Sequence, residues 1–385
     1  MHKHLFQQFF KGEIWEQFGK KVCTQLKNES VLITSIPEGG QRFFLKFIEE
    51  IYPEVTKDFE TVFIAFEIIP QQVSIENISS KIATLLKLKI PSLSRYSTCE
   101  EILNEAFQLN KRIIIIINRF ERLKNYPETM TFLESLRSLN QLSFRFLLSC
   151  DISCLLEPEK YNAAGILTSG NIYILPQSNI ESIQDMIKTY KHFYNWEVEA
   201  SSNFAEELFG ITGGFPGFIK YVLKYYCNKK PSVLKIEDIV QDSGIKFKIQ
   251  NLLFKLEENH LVYNSKLNED KSDILIKLGL LDKDKKITIK LLEYFLKDEK
   301  RNEISDIEKK LSQQEFQLYT YFKSHEDKIV TLDEIAPLLW GPYANKKYSL
   351  WSIYKVVSNL NKKLHEFNIS VKSYRGRGYS LSEKK

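Results

Sequence analysis

Residues 35–42 and 118 have the types and spacing of a phosphate-binding site. A short apolar run, Val31–Thr34, leads through Ser35-Ile36-Pro37-Glu38-Gly39-Gly40 into Arg42–Ile48, which reads as a helix. Loop amides feeding a helix N-terminus favour an anion. The full phosphate-loop pattern is G-x-x-x-x-G-K-[ST]. Here Ser35 takes the place of the first glycine and Gly40 keeps the last. Gln41 stands where the phosphate-binding lysine belongs, and Arg42 where the magnesium-binding hydroxyl belongs. Glu38 adds negative charge inside the loop. A second run, Arg112–Ile117, should end in an Asp that holds magnesium and a Glu that positions water. It ends in Asn118-Arg119; a neutral amide holds a divalent cation poorly, and arginine is no base near neutral pH. Removing a charge clamp costs roughly 3 kcal/mol of barrier. The expectation is therefore a degenerate nucleotide site of Ser35, Gly39, Gly40, Gln41, Arg42 and Asn118. It implies no catalytic residue, no enzyme, no metal and no cofactor. Weak ATP or ADP binding by the Gly39 and Gly40 amides, with Arg42 as surrogate cation, stays open.

The second concentration of chemistry lies at the other end of the chain. The 385 residues carry 54 Lys+Arg and 49 Asp+Glu, a formal charge of +5. Residues 311–385 hold 12 basic and 7 acidic side chains, so the whole surplus sits in the last fifth. Such a stripe is an electrostatic footprint for phosphate backbones. Ser312 precedes Glu315 by three, and Thr331 precedes Glu334 by three: two capping boxes, each opening a helix. The span Ser349–Phe367 gives a third helix whose apolar set is Leu350, Ile353, Val356, Val357, Leu360 and Leu364. It leaves Ser352, Lys355, Ser358, Asn359, Lys362 and Lys363 on other faces. Two strands follow, Ile369–Ser373 with Lys372 and Tyr379–Leu381, around a turn at Arg375-Gly376-Arg377-Gly378. Three helices and a hairpin are the layout of a winged helix-turn-helix, in which the third helix enters the major groove and the wing lies along the flanking backbone.

The elements that must position these residues read as α/β. Five apolar runs (Val31–Thr34, Thr61–Phe66, Arg112–Ile117, Phe144–Leu148 and Ile172–Leu175) alternate with helical patterns, Glu13–Lys27 and Ile75–Leu88 among them. That alternation predicts a doubly wound parallel sheet over 1–178. Residues 179–298 read as a helical lid (helices over Ile180–Trp196, Phe204–Phe209, Phe218–Cys227 and Ile249–Glu257) and a small winged helix at Ile274–Lys297. Residues 299–310 read as a linker and 311–385 as the winged-helix domain. The longest aliphatic run, Ile113–Ile117, is far short of the ~20 residues that cross a bilayer. The N-terminus has no secretory pattern. Five scattered cysteines (Cys23, Cys99, Cys150, Cys154, Cys227) read as free thiols of a cytoplasmic protein. Six dispersed histidines form no catalytic constellation.

Two resemblances gather these observations. Phe10-Lys11-Gly12-Glu13, Val31–Gly40, Ile113–Leu123 and Thr212-Gly213-Gly214-Phe215-Pro216-Gly217 resemble, in order and spacing, the motifs of AAA+/STAND P-loop ATPases over residues 8–295. All four groups that this resemblance would need for hydrolysis are substituted. Residues 309–382 resemble the OmpR/PhoB-type winged helix of response regulators, most specifically at Tyr374-Arg375-Gly376-Arg377-Gly378-Tyr379. That resemblance assigns DNA contacts to Ser358, Lys362, Arg375 and Arg377. Asn359 and Asn361 stand where the family has Arg, and Tyr354 and Lys355 also depart from it, which implies a different sequence preference. No phosphate-accepting receiver domain is readable. The expected protein is a cytoplasmic transcription regulator that binds double-stranded DNA through Lys355, Ser358, Asn359, Lys362, Lys363, Lys372, Arg375 and Arg377. Its N-terminal module would mediate homo-oligomerisation or sense a protein partner, without a membrane. The rivals are a nucleotide-dependent switch ATPase, with Arg42 and Glu121 as substitutes, and an adaptor whose winged helix grips a protein.

Overall fold

The computed structural model describes residues 5–57, 61–67, 80, 83–84, 112–125, 128–129, 131, 133, 144–157, 171–198, 203–263, 266–297, 307, 310–323, 325, 328–340, 350–374 and 377–383. The expected helix at Ile75–Leu88 and the linker 299–310 fall almost wholly outside them. The chain divides into two compact units, residues 1–227 with 269–289, and residues 228–268 with 290–385.

The first unit is built on β1 (Val31–Thr34), β2 (Thr61–Glu67), β3 (Arg112–Asn118), β4 (Phe144–Cys150) and β5 (Ile172–Ile174). All four pairings are parallel, in the order β2-β3-β4-β1-β5. Five consecutive isoleucines of β3, Ile113 to Ile117, are buried, as expected of a strand covered on both faces. Two helices flank β1: α1 (Leu5–Phe9) leads through Gly12 into α2 (Glu13–Asn28), and α3 (Gln41–Val55) follows the loop. They bury Trp15, Phe44 and Phe47, and the Phe10 ring stands 4.7 Å from that of Trp15 in an edge arrangement. The order brings the carboxyl ends of β1, β3 and β4 together, the place where open α/β sheets bind ligands. After β4 comes a one-turn helix, α4 (Ser153–Leu156). Beyond β5 lie α5 (Ile180–Tyr194), α6 (Phe204–Thr212) and α7 (Pro216–Lys229).

The expectation of free thiols is corrected at β4. The strand ends on Cys150, and α4 turns back so that Cys154 lies 6.3 Å away by Cα and the two form a disulfide. Both are buried. Cys23 is a buried thiol pushed up to about 12 by burial; Cys99 lies outside the described residues. The scattered-thiol argument for a cytoplasmic location therefore loses this pair. No described helix is long and apolar enough to cross a membrane.

The second unit holds α8 (Ile236–Ile239), α9 (Ser243–Glu258), a small hairpin of β6 (Val262–Tyr263) and β7 (Lys266–Leu267) too short to be read from residue pattern, and, after α10 (Ser272–Lys277) of the first unit, α11 (Lys290–Lys297). Then come α12 (Gln313–Lys323), α13 (Leu332–Trp340), α14 (Leu350–His365) and the antiparallel pair β8 (Ile369–Tyr374) and β9 (Gly378–Glu383). Both capping boxes are closed. Ser312 N–H donates to Glu315 Oε2 at 2.7 Å and Glu315 N–H to Ser312 Oγ at 3.4 Å. Thr331 N–H donates to Glu334 Oε2 at 2.7 Å and Glu334 N–H to Thr331 Oγ1 at 3.3 Å. Phe316, Leu318, Phe322, Ile335, Ile353, Leu360 and Leu364 form one core. Phe247 of α9 joins it, 5.2 Å from the Phe316 ring. Val330 and Tyr379 exchange backbone hydrogen bonds of 2.8 and 2.9 Å, an isolated antiparallel bridge that ties the residue before Thr331 to the hairpin.

Candidate functional site

The loop after β1 is shaped by contacts that only small residues permit. Ser35 is buried and its Oγ donates to the Ile36 carbonyl at 2.9 Å. A side chain on Gly39 would collide with Ser35, and Gly40 has φ +89°, in the left-handed region glycine favours. The loop is backed by the start of α7. Gly217 N–H donates to the Glu38 carbonyl at 2.8 Å, and a Cβ on Gly217 would stand 2.7 Å from that same oxygen. The Thr212–Gly217 motif thus forms a wall of the loop.

Around this loop lies a cavity of about 560 Å³, lined by Glu38, Gly39, Gly40, Gln41, Arg42 and Phe43 and by Asn118, Arg119, Arg122, Tyr190, Pro216, Gly217, Lys220 and Tyr221. Four cations, Arg42, Arg119, Arg122 and Lys220, face one carboxylate, Glu38. Lys220 also stands over the Phe43 ring at 5.5 Å and the Tyr194 ring at 5.1 Å. Two non-glycine residues of the lining hold left-handed backbone, Glu38 at φ 69° and Arg119 at φ 62°. Such conformations cost about 1 kcal/mol or more and collect at ligand clamps.

Gln41 does not reach outward as a phosphate lysine would. Its Nε2 donates to the Cys150 carbonyl at 2.7 Å, tying the start of α3 to the end of β4. Asn118 is likewise engaged: its Oδ1 accepts from Ser149 Oγ at 2.7 Å, and that hydroxyl accepts from Arg119 N–H at 3.2 Å. Glu121, the substitute carboxylate of the switch-ATPase reading, accepts from Asp151 N–H at 3.3 Å and is not part of the cavity lining. Burial, and then the nearby Asp151 charge, push its carboxyl above the usual range. All six sequence candidates therefore cluster at the carboxyl ends of β1, β3 and β4, and five of them, all but Ser35, line the cavity. Arg119 entered the sequence reading only as a missing base. Arg122 lies three residues after Arg119 in the stretch that follows β3, where its charge was readable but its place in the cavity was not. Lys220 had no signal, because tertiary packing alone brings α7 to the loop.

The candidate nucleic-acid residues lie on α14 and on the β8–β9 hairpin of the second unit. Ile353, Val357, Leu360 and Leu364 of α14 point inward, whereas Lys355, Ser358, Asn359 and Lys362 are exposed. Lys372 and Arg377 of the hairpin are exposed too. Arg375 lies outside the described residues. Lys363 is removed from the phosphate-facing set: its Nζ pairs with Glu315 Oε2 at 2.7 Å, and that carboxylate is only 6% exposed. Asn361 is also structural, since Val371 N–H donates to its Oδ1 at 2.7 Å and fastens β8 to α14. The sequence reading passed over Trp351, 68% exposed, with Lys355 Nζ 5.3 Å from its ring centroid. Its spacing of four and seven from Lys355 and Ser358 was the available signal.

No family model and no curated protein matches the sequence. Solved structures do show similarity. The Orc1 protein of Aeropyrum pernix, in complex with DNA, is 10% identical with a TM-score of 0.42, covering 100% of this chain and 90% of that one. Cdc6p from Pyrobaculum aerophilum is 11% identical at 0.43, covering 99% and 93%. The Orc2 protein of Aeropyrum pernix, in ADPNP and ADP complexes, is 10% identical at 0.42, covering 100% and 94%.

Two expectations are corrected here: that the chain has no cofactor and that it is no enzyme. Both rested on the substitution of all four groups that hydrolysis would need, the loop lysine among them. The cavity holds four other cations, three of them supplied from outside the loop pattern, so the substitutions at Gln41 and Arg42 do not empty the site of charge.

Proposed function

We propose that this chain is a nucleotide-responsive transcription regulator that binds duplex DNA through an OmpR/PhoB-type winged helix. The first unit takes a nucleoside polyphosphate at the loop between β1 and α3. The second presents α14 to the major groove and the β8–β9 wing to the flanking backbone. One observation carries the reading: α14 buries its apolar stripe and exposes Lys355, Ser358, Asn359 and Lys362 together, and the hairpin that follows it exposes Lys372 and Arg377. One winged helix reads one half-site, so regulation at a repeated half-site calls for self-association.

The test is retention of fragmented genomic DNA by the full-length protein near physiological salt, with and without ATP, followed by sequencing of the retained fragments. The expected result is enrichment of a few sites that share a repeated half-site, with an occupancy that ATP changes. Phosphate release is measured in the same samples. Uniform or absent retention overturns sequence-specific regulation and leaves the adaptor reading in its place.

A further inference from the structure

P-loop folds ordinarily take their nucleotide with magnesium, held by a loop hydroxyl, an acidic residue and the phosphates. The donor set of this chain does not fit that ion. Arg42 occupies the hydroxyl position, and Asn118 offers a neutral amide whose oxygen already accepts from Ser149 Oγ. Among the cavity-lining residues one carboxylate, Glu38, stands against Arg42, Arg119, Arg122 and Lys220. Magnesium demands close octahedral oxygen ligands, usually with one or two carboxylates. Here it would instead meet net positive charge.

We infer that the cavity binds its nucleotide as the metal-free polyphosphate anion, with arginine and lysine side chains replacing the divalent cation. This rests on the nucleotide reading above and adds the ionic form of the ligand. Guanidinium groups match phosphate oxygens in bidentate geometry and stay charged at any working pH. Arg119 is held in left-handed backbone directly after β3, next to the position from which an acidic residue would reach the metal. A cation of the chain itself thus lines the cavity one residue past the strand end from which an acidic residue would hold the ion. Magnesium in solution then competes with the protein for the phosphates and weakens binding.

Calorimetric titration of the full-length protein with ATP, in excess magnesium and in excess chelator, tests this. Binding in chelator should be tighter than in magnesium by about threefold or more, a difference well resolved on the affinity scale; equal affinity in the two buffers overturns the competition. Arg119→Ala should weaken chelator binding by about tenfold, the size of one charge-assisted contact. Lys220→Ala provides a second variant on another element. Binding seen only with magnesium overturns the metal-free inference and leaves the nucleotide reading standing. No binding in either buffer overturns both.

Discussion

Lys362 and Lys363 are adjacent in sequence and serve different ends. Lys362 is exposed on α14, whereas Lys363 pairs with the nearly buried carboxylate that closes the Ser312 capping box. Lys363→Ala should lower the stability of the second unit by about 1 kcal/mol in chemical denaturation, because Glu315 keeps its burial and loses its counter-ion. DNA affinity should change little. Lys362→Ala should do the reverse, leaving stability within about 0.5 kcal/mol and weakening DNA. Equal effects on both properties in both variants would refute the assignment. Glu121 gives a pH-dependent case. Its folded-state affinity for a proton is raised by burial and by Asp151, so the native state binds more protons than the unfolded chain in the window just above the ordinary carboxylate range. Stability contributed by this group therefore falls as pH rises through that window. Glu121→Gln keeps an acceptor for Asp151 N–H and should raise the melting temperature at neutral pH. That gain should vanish below the ordinary carboxylate range; a gain independent of pH would show that charge is not its cause.

At the scale of elements, the wing depends on a close approach that one residue permits. Gly378 has φ +140°, and a Cβ there would press on the Val330 carbonyl, whose hydrogen bond with Tyr379 joins the hairpin to the helices. Gly378→Ala should cost roughly 2 kcal/mol and reduce hydrogen-exchange protection of the Tyr379 amide; unchanged protection would mean that the contact is slack. The elements were the legible part of this sequence. Five strands stood out because parallel strands buried on both faces are continuous apolar runs, as at Ile113–Ile117. Helix starts stood out because Ser312 with Glu315 and Thr331 with Glu334 are local chemistry. The loop 35–40 was legible for the same reason. What could not be read is what the fold brings together across long separations. Lys220 reaches the loop only because α7 packs on Glu38. The β6–β7 hairpin is two residues on each side, too short to show a period. Cys150 and Cys154 are four apart, a spacing equally compatible with free thiols, and the turn of chain after β4 decides between them.

At the scale of the whole molecule, charge is spread unevenly, and the uneven part makes a quantitative prediction. Residues 1–310 balance, and residues 311–385 carry the surplus of five. With Lys363 committed to Glu315, the cations left for phosphates are Lys355, Lys362, Lys372, Arg375 and Arg377. Each phosphate neutralised contributes about −0.9 to the slope of log K against log salt, so one winged helix on a single half-site should give a slope near −4.5. A duplex with two half-sites should give a slope near −9 if two protomers bind together. Arg377→Ala should flatten each slope by about 0.9 per bound protomer while lowering affinity for all sequences alike. A substitution at Asn359 acts differently. It faces outward on α14 without charge, so it should leave the slope unchanged and alter the preference among sites. A slope near −4.5 on both duplexes would show that single copies bind, and would remove self-association from the account of how this protein reaches tight binding.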